Sequence, residues 1–402
     1  MKILYISYGG LGETERVQFR QYVKQGVALE VIVPSKIAVN KVYSSSGYLA
    51  YDPNDHEQGF SFTPVDVIKS GYINSFNPFK LFQAIKKARP DVIHIYDDFS
   101  SYYVTEAIIC RNLLYGRKVP IVVHALQNHF YKDRPFFSEF SVKGIKLLIN
   151  KLLQPMLFAY HNKNVGGVTS LGTEGLDVVK SVGFKGPTRC IYSGVSRENF
   201  YPKDKKDCRR KLGIPEDIKL VGYIGRLVET KGITTLVRAV SQMPDWHLLL
   251  VGSGHKGDSY EAQLNSLIAS LPIKDRMYRF GSVDNKKLVD YYNCLNVFVL
   301  PSETHDLWKE QYSMALTEAM FCGLAVVGSS SSAIPKRLEG YPLHLIFKER
   351  DVNDLSAKIE EVLKLQIPEG FDMEKMLYPH TAEHFAKAHI DLYNLLINKL
   401  KL

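Results

Sequence analysis

The sequence predicts an α/β protein built as two doubly wound domains, and three observations carry that prediction. Short apolar, β-branched runs alternate with helical patterns from end to end, as parallel strands covered by helices require. These runs fall into two comparable sets of six. At 402 residues the chain is also longer than one hydrophobic core ordinarily serves.

The first set comprises Ile3 to Ser7, Leu29 to Val33, Val92 to Ile95, Ile121 to His124, Gly167 to Ser170 and Arg189 to Tyr192. After the first run, Tyr8-Gly9-Gly10-Leu11-Gly12-Glu13 forms a glycine-rich turn that leads into a helix ending near Gly26. Residues Tyr43 to Phe62, rich in Ser, Gly, Asp and Asn, read as an irregular loop. A seam follows near Ser193 to Lys206, where Gly194, Pro202 and the charge run Lys203 to Asp207 mark a linker. The second set is Leu220 to Ile224, His247 to Val251, Tyr278 to Phe280, Val297 to Leu300, Leu324 to Val327 and His344 to Phe347. The predicted domains are 1–195 and 200–379, with residues 380–402 a closing amphipathic helix.

Composition bounds the function classes. With 45% hydrophobic and 23% charged residues the chain is an ordinary globular protein. Its 51 Lys and Arg exceed 42 Asp and Glu for a net charge of +9, which favours anionic partners without choosing among nucleotides, lipid headgroups and nucleic acid. The five cysteines are scattered and form no C-x-x-C pair, so a reducing compartment and no structural zinc are expected. The N-terminal run is too short for a signal-peptide core, and no eighteen apolar residues run uninterrupted.

The stretch Trp308 to Met320 says most about chemistry. It lies between the runs ending at Leu300 and starting at Leu324, and loops beyond strand ends are where α/β sheets bind ligands. Ser313 is placed to cap a helix over Met314 to Phe321. Amides around Ser313, Met314, Ala315 and Leu316 then offer an anion site. Glu318, one turn in, suits two hydroxyl hydrogen bonds, and Glu310 approaches from the loop. A second constellation follows Ile224: Gly225-Arg226-Leu227-Val228-Glu229-Thr230-Lys231-Gly232 sets two cations beyond a strand end, where they can clamp a diphosphate.

The order of these pieces closely resembles the retaining family 4 glycosyltransferases of the GT-B fold. The resemblance rests on Gly-Arg with Lys-Gly at 225–232, on His247 to Gly254, Arg279 to Val283 and Val299 to Ser302, and on Glu310 with Glu318-Ala319-Met320. It covers roughly Leu220 to Pro335. It implies that Arg226 and Lys231 contact a donor diphosphate, that Glu318 binds ribose hydroxyls, and that Glu310 lies near the transferred sugar. Ser282 and Val283 would line the base pocket. Gly252 and Gly254 would belong to the donor side. Two departures stand out: Tyr312-Ser313 replaces the usual Phe-Gly, and Ser332-Ala333-Ile334-Pro335 stands where many members have Gly-Glu-Ile-Pro.

In the first half, the resemblance places Gly12 in a loop facing donor and acceptor, and gives Gln127 and Asn128 a role where many members carry a histidine. His94, inside an apolar strand, reads as a core histidine. Gly252-Ser253-Gly254-His255-Lys256-Gly257 satisfies the dinucleotide pattern G-x-G-x-x-G, yet a dehydrogenase has no use for Arg226, Lys231 and the glutamate pair. The stretch Tyr131 to Lys163 mixes basic and aromatic residues with a Leu-rich run, which suits either an anionic membrane surface or a packed helix.

The expected function is transfer of a hexose-type sugar, with retention, from a nucleoside diphosphate sugar to a hydroxyl of a glycan or lipid-linked acceptor. The donor is a co-substrate, and no cofactor, metal or nucleic acid is expected. The expected location is cytoplasmic, peripheral at the inner face of a membrane. The alternatives are a GT-B sugar-nucleotide epimerase and a non-catalytic glycan- or lipid-binding protein.

Overall fold

A computed structural model describes residues 1–38, 48–54, 57–70, 73–127, 142–254, 259–306 and 308–401. They form two compact units. The first holds residues up to Gly194 together with the C-terminal helix, and the second runs from Val195 to Thr381.

The first unit is a parallel seven-stranded sheet of β1 (Lys2–Ser7), β2 (Ala28–Pro34), β3 (Phe60–Val65), β4 (Val92–Tyr96), β5 (Ile121–Ala125), β6 (Gly167–Ser170) and β7 (Thr188–Cys190). Their order is β7-β6-β5-β4-β1-β2-β3. The central strands are apolar on both faces because helices cover both. The strand β3 corrects the sequence reading, which ran an irregular loop through Phe62. It is an edge strand, where Pro64 needs no ladder partner on its open side, and the polar residues before it hid a run whose Phe60 and Val65 are buried. Two antiparallel ribbons were also missed, Lys36–Ala38 with Tyr48–Ala50 and Val67–Ser70 with Ile73–Phe76.

The second unit is a parallel six-stranded sheet of β8 (Lys219–Ile224), β9 (Trp246–Val251), β10 (Met277–Phe280), β11 (Val297–Leu300), β12 (Ala325–Ser329) and β13 (His344–Phe347). The order β10-β9-β8-β11-β12-β13 reverses direction between β8 and β11. Such a reversal opens a crevice at the carboxyl ends of the two strands, because the helices that follow them leave on opposite faces.

The final helix, Ala382–Lys401, packs on the first unit, burying Phe385, Leu392, Tyr393 and Leu396. It also brings His389 to His94 of β4 and His124 of β5, all fully buried. His389 Nδ1 donates to the Phe385 carbonyl at 2.8 Å, which leaves Nε2 to accept from Thr169 Oγ1 at 3.1 Å. Thr169 Oγ1 in turn accepts from His124 Nδ1 at 2.8 Å, so the network assigns both tautomers. His94 Nδ1 pairs with the Tyr393 hydroxyl. Burial holds His389 down at about 3 and keeps His94 and His124 well below the usual imidazole range, with His389 adding to the effect on both.

These imidazoles fold neutral. As pH falls through about 6.5 the unfolded chain takes up protons that the folded chain refuses, so stability declines toward pH 3. The histidine contribution to the melting temperature should therefore fall from pH 7.5 to pH 5, opposite in sign to that of the buried carboxyls Glu15 and Glu318, whose folded values are raised to about 7. Measured against the parent, His389→Gln should shift the slope of melting temperature against pH toward greater acid stability, and an unchanged slope would place the acid sensitivity elsewhere.

Candidate functional site

The carboxyl edge of the second sheet is assembled by backbone contacts that leave no space for side chains. Gly252, at φ 131°, lies so close to the Gly225 carbonyl that a Cβ would fall 1.9 Å from its oxygen. Gly232, at φ 61°, meets the Pro301 carbonyl so that a Cβ would fall 2.0 Å away. Amides tie the same loops: Leu227 N–H donates to Ser253 O at 3.1 Å and Glu303 N–H to Thr230 O at 2.9 Å. The loops after β8, β9 and β11 are thereby drawn to the crevice where the strand order reverses.

At this crevice Lys231, in the short 3-10 turn Glu229–Lys231, reaches Glu310 from the loop after β11, Nζ to Oε2 at 2.5 Å. The same Oε2 accepts from Ser302 Oγ at 3.0 Å, and the Ser302 carbonyl is held by Ser329 Oγ at 2.6 Å. The Lys231 ammonium also lies 4.7 Å over the Trp308 ring. Glu310 is buried, and the pairing supplies the compensation a buried charge needs. Arg226 is half-buried beyond β8; its carbonyl accepts from Tyr223 Oη at 2.8 Å, and its guanidinium makes no hydrogen bond or ion pair among the described residues.

The helix Met314–Phe321 forms as the sequence predicts. Ser313 caps it, accepting from Leu316 N–H at 3.4 Å, and does so at φ 55°, a value uncommon outside glycine. The amide of Leu316 is thus already engaged, which narrows the free donors of the expected anion site to its neighbours. Tyr312 is buried under Arg337, whose guanidinium lies 4.4 Å over the ring and donates to the Tyr312 hydroxyl at 3.1 Å and to Thr317 Oγ1 at 2.7 Å. The tyrosine that replaces the usual phenylalanine therefore has a partner for its hydroxyl.

Glu318 is buried at 5% exposure. It accepts from Tyr292 Oη at 2.7 Å and from Asn285 Nδ2 at 3.4 Å. Burial pushes its carboxyl up to about 7, against the opposing pull of these two donors. Both supporting residues, like Arg337, escaped sequence reading because they lie far away in the chain and carry no local motif.

The remaining expected residues sit as follows. Gly254 N–H donates to Glu261 Oε2 at 2.9 Å, and Glu261 is held by Arg279 at 2.6 Å. Ser282 Oγ donates to Ser253 Oγ at 3.2 Å, and Val283 packs partly on the core. In the first unit, Gly12 N–H closes the glycine turn onto Gly9 O at 2.8 Å, and Gln127 is half-buried just past β5. Asn128 lies outside the described residues. The Glu15 carboxyl fills the space a side chain at Gly9 would need, and burial raises it to about 7 despite a hydrogen bond from Ser7. His94, as expected, is a core residue.

Among the described residues, His94, His124 and His389 bring metal-ligand atoms within 4.8 Å of one another. The group holds no carboxylate or thiolate. A divalent cation there would carry its charge uncompensated into the core.

The two sheets, their strand orders and the crevice at the reversal define the GT-B architecture. Residues 204–380 match the family model described as glycosyl transferases group 1. The chain is 27% identical over 176 residues to the D-inositol 3-phosphate glycosyltransferase of Mycolicibacterium smegmatis, covering 43% of this chain and 39% of that one. It is 28% identical over 180 residues to the GDP-mannose-dependent monoacylated alpha-(1-6)-phosphatidylinositol monomannoside mannosyltransferase of Corynebacterium glutamicum, covering 42% and 45%. These matches thus span less than half the length of either relative. Among solved structures, sucrose-phosphate synthase from Thermosynechococcus elongatus aligns with TM-score 0.70 at 20% identity, covering 99% of this chain and 100% of that one. Anabaena HepE in complex with UDP-glucose aligns with TM-score 0.63 at 16% identity, covering 100% and 98%.

A carboxyl raised on folding stabilises the protein below its unfolded value and weakens it as pH climbs through the folded one. For Glu318 a rise from 4.5 to about 7 amounts to at most roughly 3 kcal/mol lost above pH 7. Glu318→Gln should therefore melt higher than the parent at pH 8 and lose that advantage at pH 4.5. Equal melting temperatures at both pH values would mean that burial does not strain this carboxylate.

Proposed function

We propose that the chain is a retaining glycosyltransferase that moves a hexose-type sugar from a nucleoside diphosphate sugar to an acceptor hydroxyl. The observation that carries this reading is the meeting of Lys231 and Glu310 at the strand-order reversal of the second unit, beside the helix that holds Glu318. The complexes of Anabaena HepE with UDP and UDP-glucose support a nucleotide-sugar donor.

Arg226 and Lys231 neutralise the donor diphosphate as it leaves. Amides near Ser313, Met314 and Ala315 add the positive end of a helix dipole. Glu318 accepts from the ribose hydroxyls, since a carboxylate with two oxygens suits a vicinal diol. Ser282 and Val283 lie along the base, and Gly252 and Gly254 let the backbone come close. Glu310, already committed to Lys231 and Ser302, orients the sugar and forms no covalent intermediate. The acceptor attacks the face the diphosphate leaves, and the departing diphosphate takes the acceptor proton. Gly12, in the glycine turn, faces donor and acceptor, and Gln127 takes part in catalysis.

With two cations and a helix terminus meeting the leaving-group charge, the reaction has no need of a metal. The acceptor is a glycan or lipid-linked hydroxyl in glycan biosynthesis, reached from the cytoplasm at the inner face of a membrane. Exposed apolar Leu153 and Met156 on the helix Val142–Asn164 support contact with a membrane surface. No helix among the described residues is long and apolar enough to cross one.

A thermal-shift panel of UDP, GDP, ADP and their sugars should identify the base by the one set that raises the melting temperature, and no shift with any of them would refute the donor site. Glu318→Ala and Lys231→Ala should each lose most transfer activity, read as sugar incorporation into acceptor, and EDTA should leave the parent rate unchanged. Removing Lys231 alone leaves the buried Glu310 uncompensated, with a penalty of about 3–5 kcal/mol. The double variant Lys231→Met with Glu310→Gln is therefore the control for folding.

A further inference from the structure

We propose that Trp308 is a positioning residue for Lys231, its ring face holding the ammonium on one side while Glu310 holds it on another, so that a third side is left for a diphosphate. This rests on the donor-site reading above. Lys231 Nζ lies 4.7 Å over the Trp308 ring and 2.5 Å from Glu310 Oε2. An ammonium has three N–H donors. One is committed to Glu310, and an indole face attracts the cation without consuming a directed acceptor.

Both supports are themselves held by other parts of the fold. Trp308 is held by a reciprocal backbone pair with His305, His305 N–H to Trp308 O at 2.9 Å and Trp308 N–H to His305 O at 3.1 Å. Glu310 is braced by Ser302, itself tied to Ser329. Lysine is otherwise a flexible point charge whose ordering opposes binding. Here Glu310 and the ring face both hold the ammonium in place, which lessens the ordering that binding a diphosphate would otherwise require.

Binding of inorganic pyrophosphate, which carries the diphosphate without base or sugar, tests this, with UDP, GDP and ADP measured in parallel. Trp308→Leu should weaken pyrophosphate about 5- to 10-fold, and Trp308→Phe should recover part of the loss because a smaller aromatic face keeps part of the attraction. In a Lys231→Met, Glu310→Gln background, Trp308→Leu should change nothing further. A merely structural tryptophan would not show that coupling. The chain has two tryptophans, and Trp246 is buried at the amino end of β9, so a ligand-dependent change in emission should vanish in Trp308→Phe. Wild-type affinity in Trp308→Leu, or an equal loss in both backgrounds, overturns the positioning role and leaves the donor site standing. Failure of the parent chain to bind pyrophosphate or any of the nucleotides overturns both.

Discussion

The close backbone approach at the carboxyl edge of the second sheet is the constraint on which the rest of the site depends. A Cβ at Gly252 would overlap the Gly225 carbonyl, and one at Gly232 would overlap that of Pro301. With those two positions reduced to hydrogen, the loops after β8, β9 and β11 close on one another at the point where the strand order reverses. Lys231 then meets a carboxylate that lies 79 residues further along the chain. A crevice of this kind exists in any sheet with such a reversal. Here the glycine contacts make it narrow enough for a buried ion pair.

The site also stores unfavourable terms that a purely structural protein would shed. Glu318 is buried with neutral hydrogen-bond donors and its carboxyl is raised to about 7. Ser313 sits at a positive φ. The Lys231 and Glu310 charges are nearly out of water. Strain concentrated in one crevice is the expected trade between stability and ligand binding. The core of the first unit holds three buried histidines that stay neutral: Thr169, Tyr393 and the Phe385 carbonyl engage Nδ1 of each and Thr169 also engages His389 Nε2, while Nε2 of His94 and of His124 has no hydrogen-bond partner among the described residues.

Much of this was legible beforehand, for identifiable reasons. The six strands of the second sheet are short apolar runs bounded by Gly, Pro and Ser, and each appears within a residue or two of its expected place. The helix after Ser313 follows from a capping residue and good helix formers. The edge strand β3 was not legible, because half of its residues face solvent or a ribbon and its Pro64 argues against a strand. Neither were Tyr292, Asn285 and Arg337, which support Glu318 and Tyr312 from distant positions. Their residue types are common, and only folding gives them a partner.

The sequence by itself determined the alternation of strands and helices, the two-sheet plan and the identity of the charged residues beyond the strand ends, since periodicity and turn chemistry are local. Tertiary structure alone decided that Lys231 is shared between Glu310 and the face of Trp308, that Glu318 is buried enough for its carboxyl to be raised, and that the tyrosine at 312 is answered by Arg337. Each of these depends on distance and on exclusion of water between segments far apart in the chain. No spacing along the chain encodes either quantity.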